Sequence, residues 1–366
     1  MKRLFLRFLL ALGLFLALLY PVYLAAGNHF LRSGELERRL NRRPERFLLR
    51  FEEARTVFPG VIRFKGLEVR NQTRTVQWWL AIDQGTVEID LPRLYRREFV
   101  THRLTGEGAA FRLRRRADTP ARKIVTRREL EPAIPGFTNP PRPAPEALYP
   151  PGSRPASGKR RQPWRLRFAG IELDGVREIW IEEVRFAGLA RAAGSFDLHL
   201  RRRFELEGVR LDVAEGDLRL GAGRGEPILA GVKGRLAGNI ASYRPADHRG
   251  WKMLRFVSGR AEVEGRGPRL DWLDLYLRKT HWVELRGAAG PLEADLRMKD
   301  GLFVAGSRLE AHPERLTVGF LDYEAEGSGN ARWELEPPDG KPGKPGEAVG
   351  RIALKLDEFR LKRRGA

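Results

Sequence analysis

The chain has no cysteine among its 366 residues, so it can build neither a disulfide framework nor a thiolate metal site. Metal chemistry finds little else to use. The six histidines, His29, His102, His199, His248, His281 and His312, stand singly, none with a second ligand at metal spacing. No glycine-rich phosphate loop opens a helix: Gly221, Gly223 and Gly225 crowd together without a helical pattern after them. No nucleophile elbow is present either, and Gly327-Ser328-Gly329 reads as a turn. Aspartate and glutamate occur mainly as the polar half of alternating runs. These absences predict a protein that is not an enzyme, with no catalytic residue, no cofactor, no metal and no small-molecule substrate.

Basic residues, by contrast, are in excess: 68 Lys+Arg against 47 Asp+Glu, a net charge of +21. The excess is uneven. Residues 1–163 hold 32 Lys+Arg against 15 Asp+Glu, and residues 164–366 hold 36 against 32. Nucleic acid is the usual partner of so basic a chain. Here the charge lies beside a long apolar segment, which favours anionic lipid headgroups, at about 1 kcal/mol per Lys or Arg near the surface. No nucleic-acid partner is expected. Arg38, Arg39, Arg42 and Arg43 are the candidate headgroup contacts.

That apolar segment, Phe8 to Ala26, reads FLLALGLFLALLYPVYLAA and follows Lys2, Arg3 and Arg7. As a helix it rises roughly 28 Å, close to the ~30 Å hydrocarbon thickness. Tyr20 and Tyr23 sit where aromatic rings favour the interface. A cleaved signal peptide is the alternative, but the small residues Ala25 and Ala26 follow bulky Tyr23 and Leu24 at the −3 positions. The segment is therefore predicted to be a single-pass anchor. Charge alone leaves its orientation open, because Arg32, Arg38, Arg39, Arg42 and Arg43 beyond the helix oppose the three basic residues before it.

From Gly34 to Ala54 the pattern predicts a helix, with Pro44 at a first helical position and an apolar stripe of Phe47, Leu48 and Phe51. At Gly60 the period changes to two. Apolar residues then alternate with charged ones through Ile62–Val69, Trp79–Ile82, Val87–Leu91 and Phe111–Leu113. Residues 117–163 break the pattern with 11 of the 24 prolines and read as a disordered or extended insertion. From Trp164 alternation resumes and continues to Leu356, punctuated by glycines. The form apolar–x–Gly–aliphatic recurs at Phe64–Leu67, Phe168–Ile171, Phe186–Leu189 and Leu206–Val209.

The expected organisation is a transmembrane anchor (1–27), a juxtamembrane helical segment (28–58), an N-terminal β segment (59–116), the insertion (117–163) and a repetitive β domain (164–366). The fold class is mainly β: a long, curved antiparallel sheet, groove-like or sandwich-like, with few helices. About fifteen to twenty strands at ~4.8 Å would span roughly 70–95 Å. Val87, Ile89, Leu91, Phe111 and Leu113 are the candidate lining of a lipid-facing groove. The apolar face must be covered by something, either protein in a closed core or acyl chains in an open trough.

The stretches GVIRFKGLEVRN (Gly60–Asn71), WLAIDQGTVEIDLPRLYRREF (Trp79–Phe99) and LTGEGAAFRLRR (Leu104–Arg115) resemble the opening of AsmA-like proteins, bacterial relatives of chorein-type bridge-like lipid transfer proteins. Asp90-Leu91 and Leu94 fall where that family has aspartate–leucine and a following leucine, and Gly290–Ala311 is similar to its sheet repeats. The resemblance implies an inner-membrane anchor, a cytoplasmic N-terminus, a periplasmic main domain, membrane lipids and envelope proteins as partners, and phospholipid transport or cell-envelope assembly. The chain is shorter than such proteins and carries the proline-rich insertion. The competing reading is a structural envelope scaffold or protein-interaction module with no lipid cargo.

Overall fold

The computed structural model describes residues 18–73, 76–115, 130–137, 163–199, 202–221, 226–245, 247–248, 250–268, 283–320, 322–337 and 348–363. It begins with helix α1 (18–32) and α2 (Glu35–Leu40). Sixteen strands follow and join one sheet: β1 (Phe47–Arg50), β2 (Glu53–Phe58), β3 (Val61–Gln72), β4 (Val76–Ile89), β5 (Glu98–Arg115), β6 (Arg165–Ile181), β7 (Val184–His199), β8 (Arg203–Leu220), β9 (Ala230–Tyr243), β10 (Val257–Gly267), β11 (Val283–Lys299), β12 (Leu302–Phe303), β13 (Arg308–Ala311), β14 (Arg315–Phe320), β15 (Tyr323–Glu336) and β16 (Val349–Arg363). A one-turn helix, α3 (Leu91–Leu94), links β4 to β5, capped by the Asp90 side chain. The sheet is open, large and curved, and its neighbours are chain neighbours from β3 through β11.

Three expectations change. The helix over Gly34–Ala54 stops at Leu40, and Phe47–Arg50 and Glu53–Phe58 are strands on β3. Burial decides this: pairing with β3 takes Leu48 and Ala54 out of water, which a short amphipathic helix on its own cannot match. Strands are also longer than the alternating runs suggested. Trp79–Ile82 and Val87–Ile89 are one strand, as are Phe204–Leu206, Val209–Val213 and Leu218–Leu220. The glycines between such runs lie within strands. Gly66 (φ 58°) and Gly108 (φ 69°) flank Asp83 from the two neighbouring strands, in the left-handed conformation that lets a strand gain an out-of-phase residue. On β4, Asp83 and Gln84 are both exposed in succession, so Ile82 and Val87 share the apolar cluster although their parities differ. Gly327-Ser328-Gly329, expected as a turn, likewise lies inside β15 at a register shift.

The antiparallel expectation fails at one joint: β5 and β6 are parallel, with Glu98 beside Arg165 and Leu113 beside Ile181. A parallel neighbour needs a long return connection, and the proline-rich insertion is that connection. Residues 130–137 of it pack on the sheet. Arg114, fully buried, donates to the Pro132 carbonyl (2.7 Å) and to Gln77 (2.7 Å). Arg112 donates to Ala133 (2.9 Å) and Arg70 to Pro135 (2.6 Å). Ile134 is buried beneath. Prolines offer no N–H but keep good carbonyl acceptors, so a row of arginines can hold this strap across strands β5 to β3. The rest of the insertion lies outside the described residues.

Most of the expected anchor, residues 8–17, also lies outside them. Among the described residues no helix is long and apolar enough to cross a membrane. Residues 18–26 begin α1, where Leu18, Leu19, Tyr20 and Val22 stay exposed. The remainder of α1 covers the first sheet edge. The Asn28 amide takes the Thr56 N–H (2.9 Å) and reaches its carbonyl (3.2 Å). The Asn41 amide does the same at Leu49 (2.7 and 2.8 Å). Each imitates one residue of a neighbouring strand.

Candidate functional site

Register aligns apolar side chains into rows that cross the sheet. One row runs through Val69, Leu80, Phe111, Ile179, Phe186 and Leu218, each opposite the next. A second holds Ile62, Val87, Leu104 and Ile171. A third, at the strap end of the strands, holds Trp78, Leu113, Ile181, Val184 and Leu220. Buried apolar side chains in and between these rows, including Ile82, Leu104, Val176, Phe186 and Val232, form one cluster from β2 to β9. Other apolar side chains reach solvent: Ile181 is 46 % exposed, and Val184 and Leu236 are each 39 % exposed.

The opposite face is ionic. Arg112 lies between the Trp79 and Trp180 rings (5.0 and 5.7 Å) and binds Glu178 (2.5 Å), which also binds Arg185 (2.7 Å). Further ladders join Arg103 to Glu172, Arg177 to Asp83, Arg235 to Asp212 and Arg260 to Asp295. The sheet therefore has one greasy surface and one whose charges largely neutralise each other.

Of the sequence-predicted lining residues, Val87, Phe111 and Leu113 fall in these three rows. Ile89 ends β4 opposite Thr101, beside a register shift. Leu91 is on no strand: it begins α3, because Pro92 cannot continue a ladder and favours a helix start. Sequence reasoning missed Ile82, 1 % exposed, as the centre of the face, because the kink hides its phase. It also missed an aromatic chain at the α1 end of the strands. There the rings of Phe99, Phe168 and Phe196 pack with centroids 5.7 and 4.6 Å apart, and those of Phe204, Tyr243 and Phe256 with centroids 5.7 and 5.1 Å apart. Register brings the strand rings together, and Phe256 joins them from the short helical turn that precedes β10.

The candidate headgroup arginines divide. Arg38 and Arg39 both bind Glu35 (2.9 and 2.7 Å), and Arg39 also lies over the Phe30 ring. Arg42 and Arg43 are exposed in the turn after α2. A cleft of about 820 Å³ opens between the helices and β2–β5, lined by Leu31, Phe51 and Phe64 and by a rim of charged side chains. Among the described residues no three His, Asp or Glu side chains gather as a metal site would require. Comparison of the chain with family models, with curated proteins and with solved structures returns no match.

Proposed function

We propose that the protein is a membrane-tethered, periplasm-facing carrier of lipid, whose single sheet presents its apolar face to acyl chains in phospholipid transport or cell-envelope assembly. One observation carries this reading. One apolar row runs unbroken from β3 to β8 with two shorter rows beside it, and all sixteen strands belong to one sheet, so no second sheet among the described residues covers that face. Each methylene moved from water onto it gains about 0.8 kcal/mol. The aromatic chain supports the same reading. It lies at the end of the strands where Tyr20 donates to Val57 and the Gly60 N–H donates to Tyr23, and rings of this kind favour a headgroup boundary. The uncharged run Phe8–Ala26 would hold that end near a bilayer.

The test is gentle purification of the full chain, followed by mass spectrometry of extracted lipids. Bound phospholipid approaching one or more molecules per chain is expected. A lipid-free chain that stays folded and monomeric in mild detergent would sink the carrier and leave the scaffold.

A further inference from the structure

The ladders of this sheet set arginine directly opposite arginine at three places among the described residues. Arg185 faces Arg219, but Glu178 and Asp217 bind them. Arg260 faces Arg297, and Asp295 binds both (2.7 and 3.2 Å). Arg55 on β2 faces Arg63 on β3 with no carboxylate bound to either among the described residues. Like charges directly opposed on neighbouring strands repel, and the other two pairs show how this sheet resolves that repulsion: an anion sits on them.

The surroundings of Arg55 and Arg63 continue the pattern. Arg63 lies opposite Thr86, and Thr86 opposite Thr105, so two guanidinium groups and two hydroxyls form one row. All four line the 820 Å³ cleft, and Arg32 of α1 joins them. Five acidic residues, Glu37, Glu52, Glu53, Glu107 and Asp174, line the cleft against four basic ones, and none of the five is ion-paired with Arg55 or Arg63. Glu37 accepts the Phe51 N–H (3.0 Å), Glu53 binds Lys65 (3.2 Å), Glu107 accepts from Gln84 (2.6 Å) and Asp174 binds Arg191 (2.9 Å). What remains is a row of two guanidinium groups and two hydroxyls on the charged face of the sheet, with no carboxylate bound to either guanidinium among the described residues.

We propose that Arg55 and Arg63, with Thr86, Thr105 and Arg32, form a binding site for a phosphate group. Two guanidinium forks can bracket one tetrahedral anion and convert their mutual repulsion into shared attraction. The chemistry is common to a phospholipid headgroup and a free phosphate. The site stands on charge geometry alone and does not depend on the carrier reading.

The experiment uses the full chain in uncharged detergent with three probes: inorganic phosphate, dihexanoyl phosphatidate and dihexanoylglycerol. Arg55→Gln and Arg63→Gln are each expected to weaken phosphatidate binding about tenfold, the loss of one charge-assisted contact. Arg63→Lys should keep much of the affinity. Arg210→Gln removes the same charge from an exposed strand position that faces alanines and should leave binding within about twofold. A readout specific to the opposed pair is thermal: without phosphate, Arg63→Gln should melt no lower than wild type, and added phosphate should raise the wild-type midpoint but not the variant's. Equal binding of phosphatidate and inorganic phosphate assigns the site to the free anion, and binding of phosphatidate alone assigns it to a headgroup. Dihexanoylglycerol reports the apolar face separately, so a carrier that fails leaves this site testable. Phosphate and phosphatidate binding unchanged in both glutamine variants, or a lower melting point of Arg63→Gln without phosphate, would overturn the proposal.

Discussion

Single side chains on this sheet work against an unusual concentration of arginine, and the carboxylates placed among them have been moved accordingly. Asp295 is held to about 2, chiefly by its hydrogen bonds from Arg260 and then by Arg297. Asp197 is lowered by Arg165 in the same way. Because these folded-state values lie below the ordinary 3.8, their stabilisation is complete above about pH 4 and is lost as pH falls through the lowered values. Glu182, in the turn between β6 and β7, goes the other way: burial raises it, so its contribution declines as pH rises through the raised value. Asp295→Asn should therefore lower the melting point at pH 7, by removing the one carboxylate that binds both Arg260 and Arg297 while Glu262 stays on Arg260, and the gap to wild type should close as pH approaches 2. A gap that persists at pH 2 would assign the loss to packing instead. On the apolar face, Ile82→Ala should cost about 2–5 kcal/mol in urea unfolding. Leu236→Ala, already 39 % exposed, should cost under about 1 kcal/mol.

Elements are shaped by devices of one or two residues each. A left-handed glycine lets a strand change phase without leaving the ladder, and at Gly108 an added Cβ would strike the Asp83 side chain. Gly108→Ala should destabilise by about 1–2 kcal/mol from the backbone alone, with the contact adding to it. The edge amides act similarly. Asn28→Ala and Asn41→Ala each uncover a backbone N–H and carbonyl on the first edge. Each should cost about 1 kcal/mol, and the double variant should associate in a concentration-dependent way, seen by light scattering, because a bare edge templates pairing. These devices also mark what was readable in advance. Alternation from Ile62 to Leu113 and from Leu166 onward announced strands and their apolar face, since a period of two has one structural meaning. The glycines announced interruption but not its kind, because a turn and a phase-changing kink use the same residue. The stretch Phe47–Phe58 misled, as apolar residues at three and four apart fit both a helix and two short strands, and only the presence of β3 decides between them. The parallel joint at β5–β6, the aromatic chain and the opposed arginines depend on register, which no local pattern encodes.

At the scale of the whole molecule the sheet is long in one direction and thin in another. Short strands share levels (β1 with β2, and β12 with β13 and β14), so sixteen strands make thirteen levels, or about 58 Å at ~4.8 Å each. That is below the length anticipated from strand count. If the rows carry lipid, a surface of this length does not reach between two distant membranes, so carriage by one chain would be partial and need a receiving partner. The first edge of the sheet is closed by α1 and α2, whereas among the described residues no strand lies beyond β16, which makes that edge the side from which the sheet could be extended. If lipid lies on the apolar rows, the places where those rows meet solvent are where it is most easily displaced. The double substitution Val184→Glu with Leu236→Glu puts carboxylates on the face at two partly exposed positions. It should reduce phospholipid per purified chain roughly threefold or more, because covering an unpaired carboxylate with acyl chains costs several kcal/mol, while the melting point falls little. Tyr95→Glu, at a residue 96 % exposed and away from the sheet, should leave the lipid content unchanged. Equal phospholipid in all three proteins would mean that lipid is held elsewhere, by the apolar N-terminal segment alone, and that the rows serve only to hold the sheet in its curve.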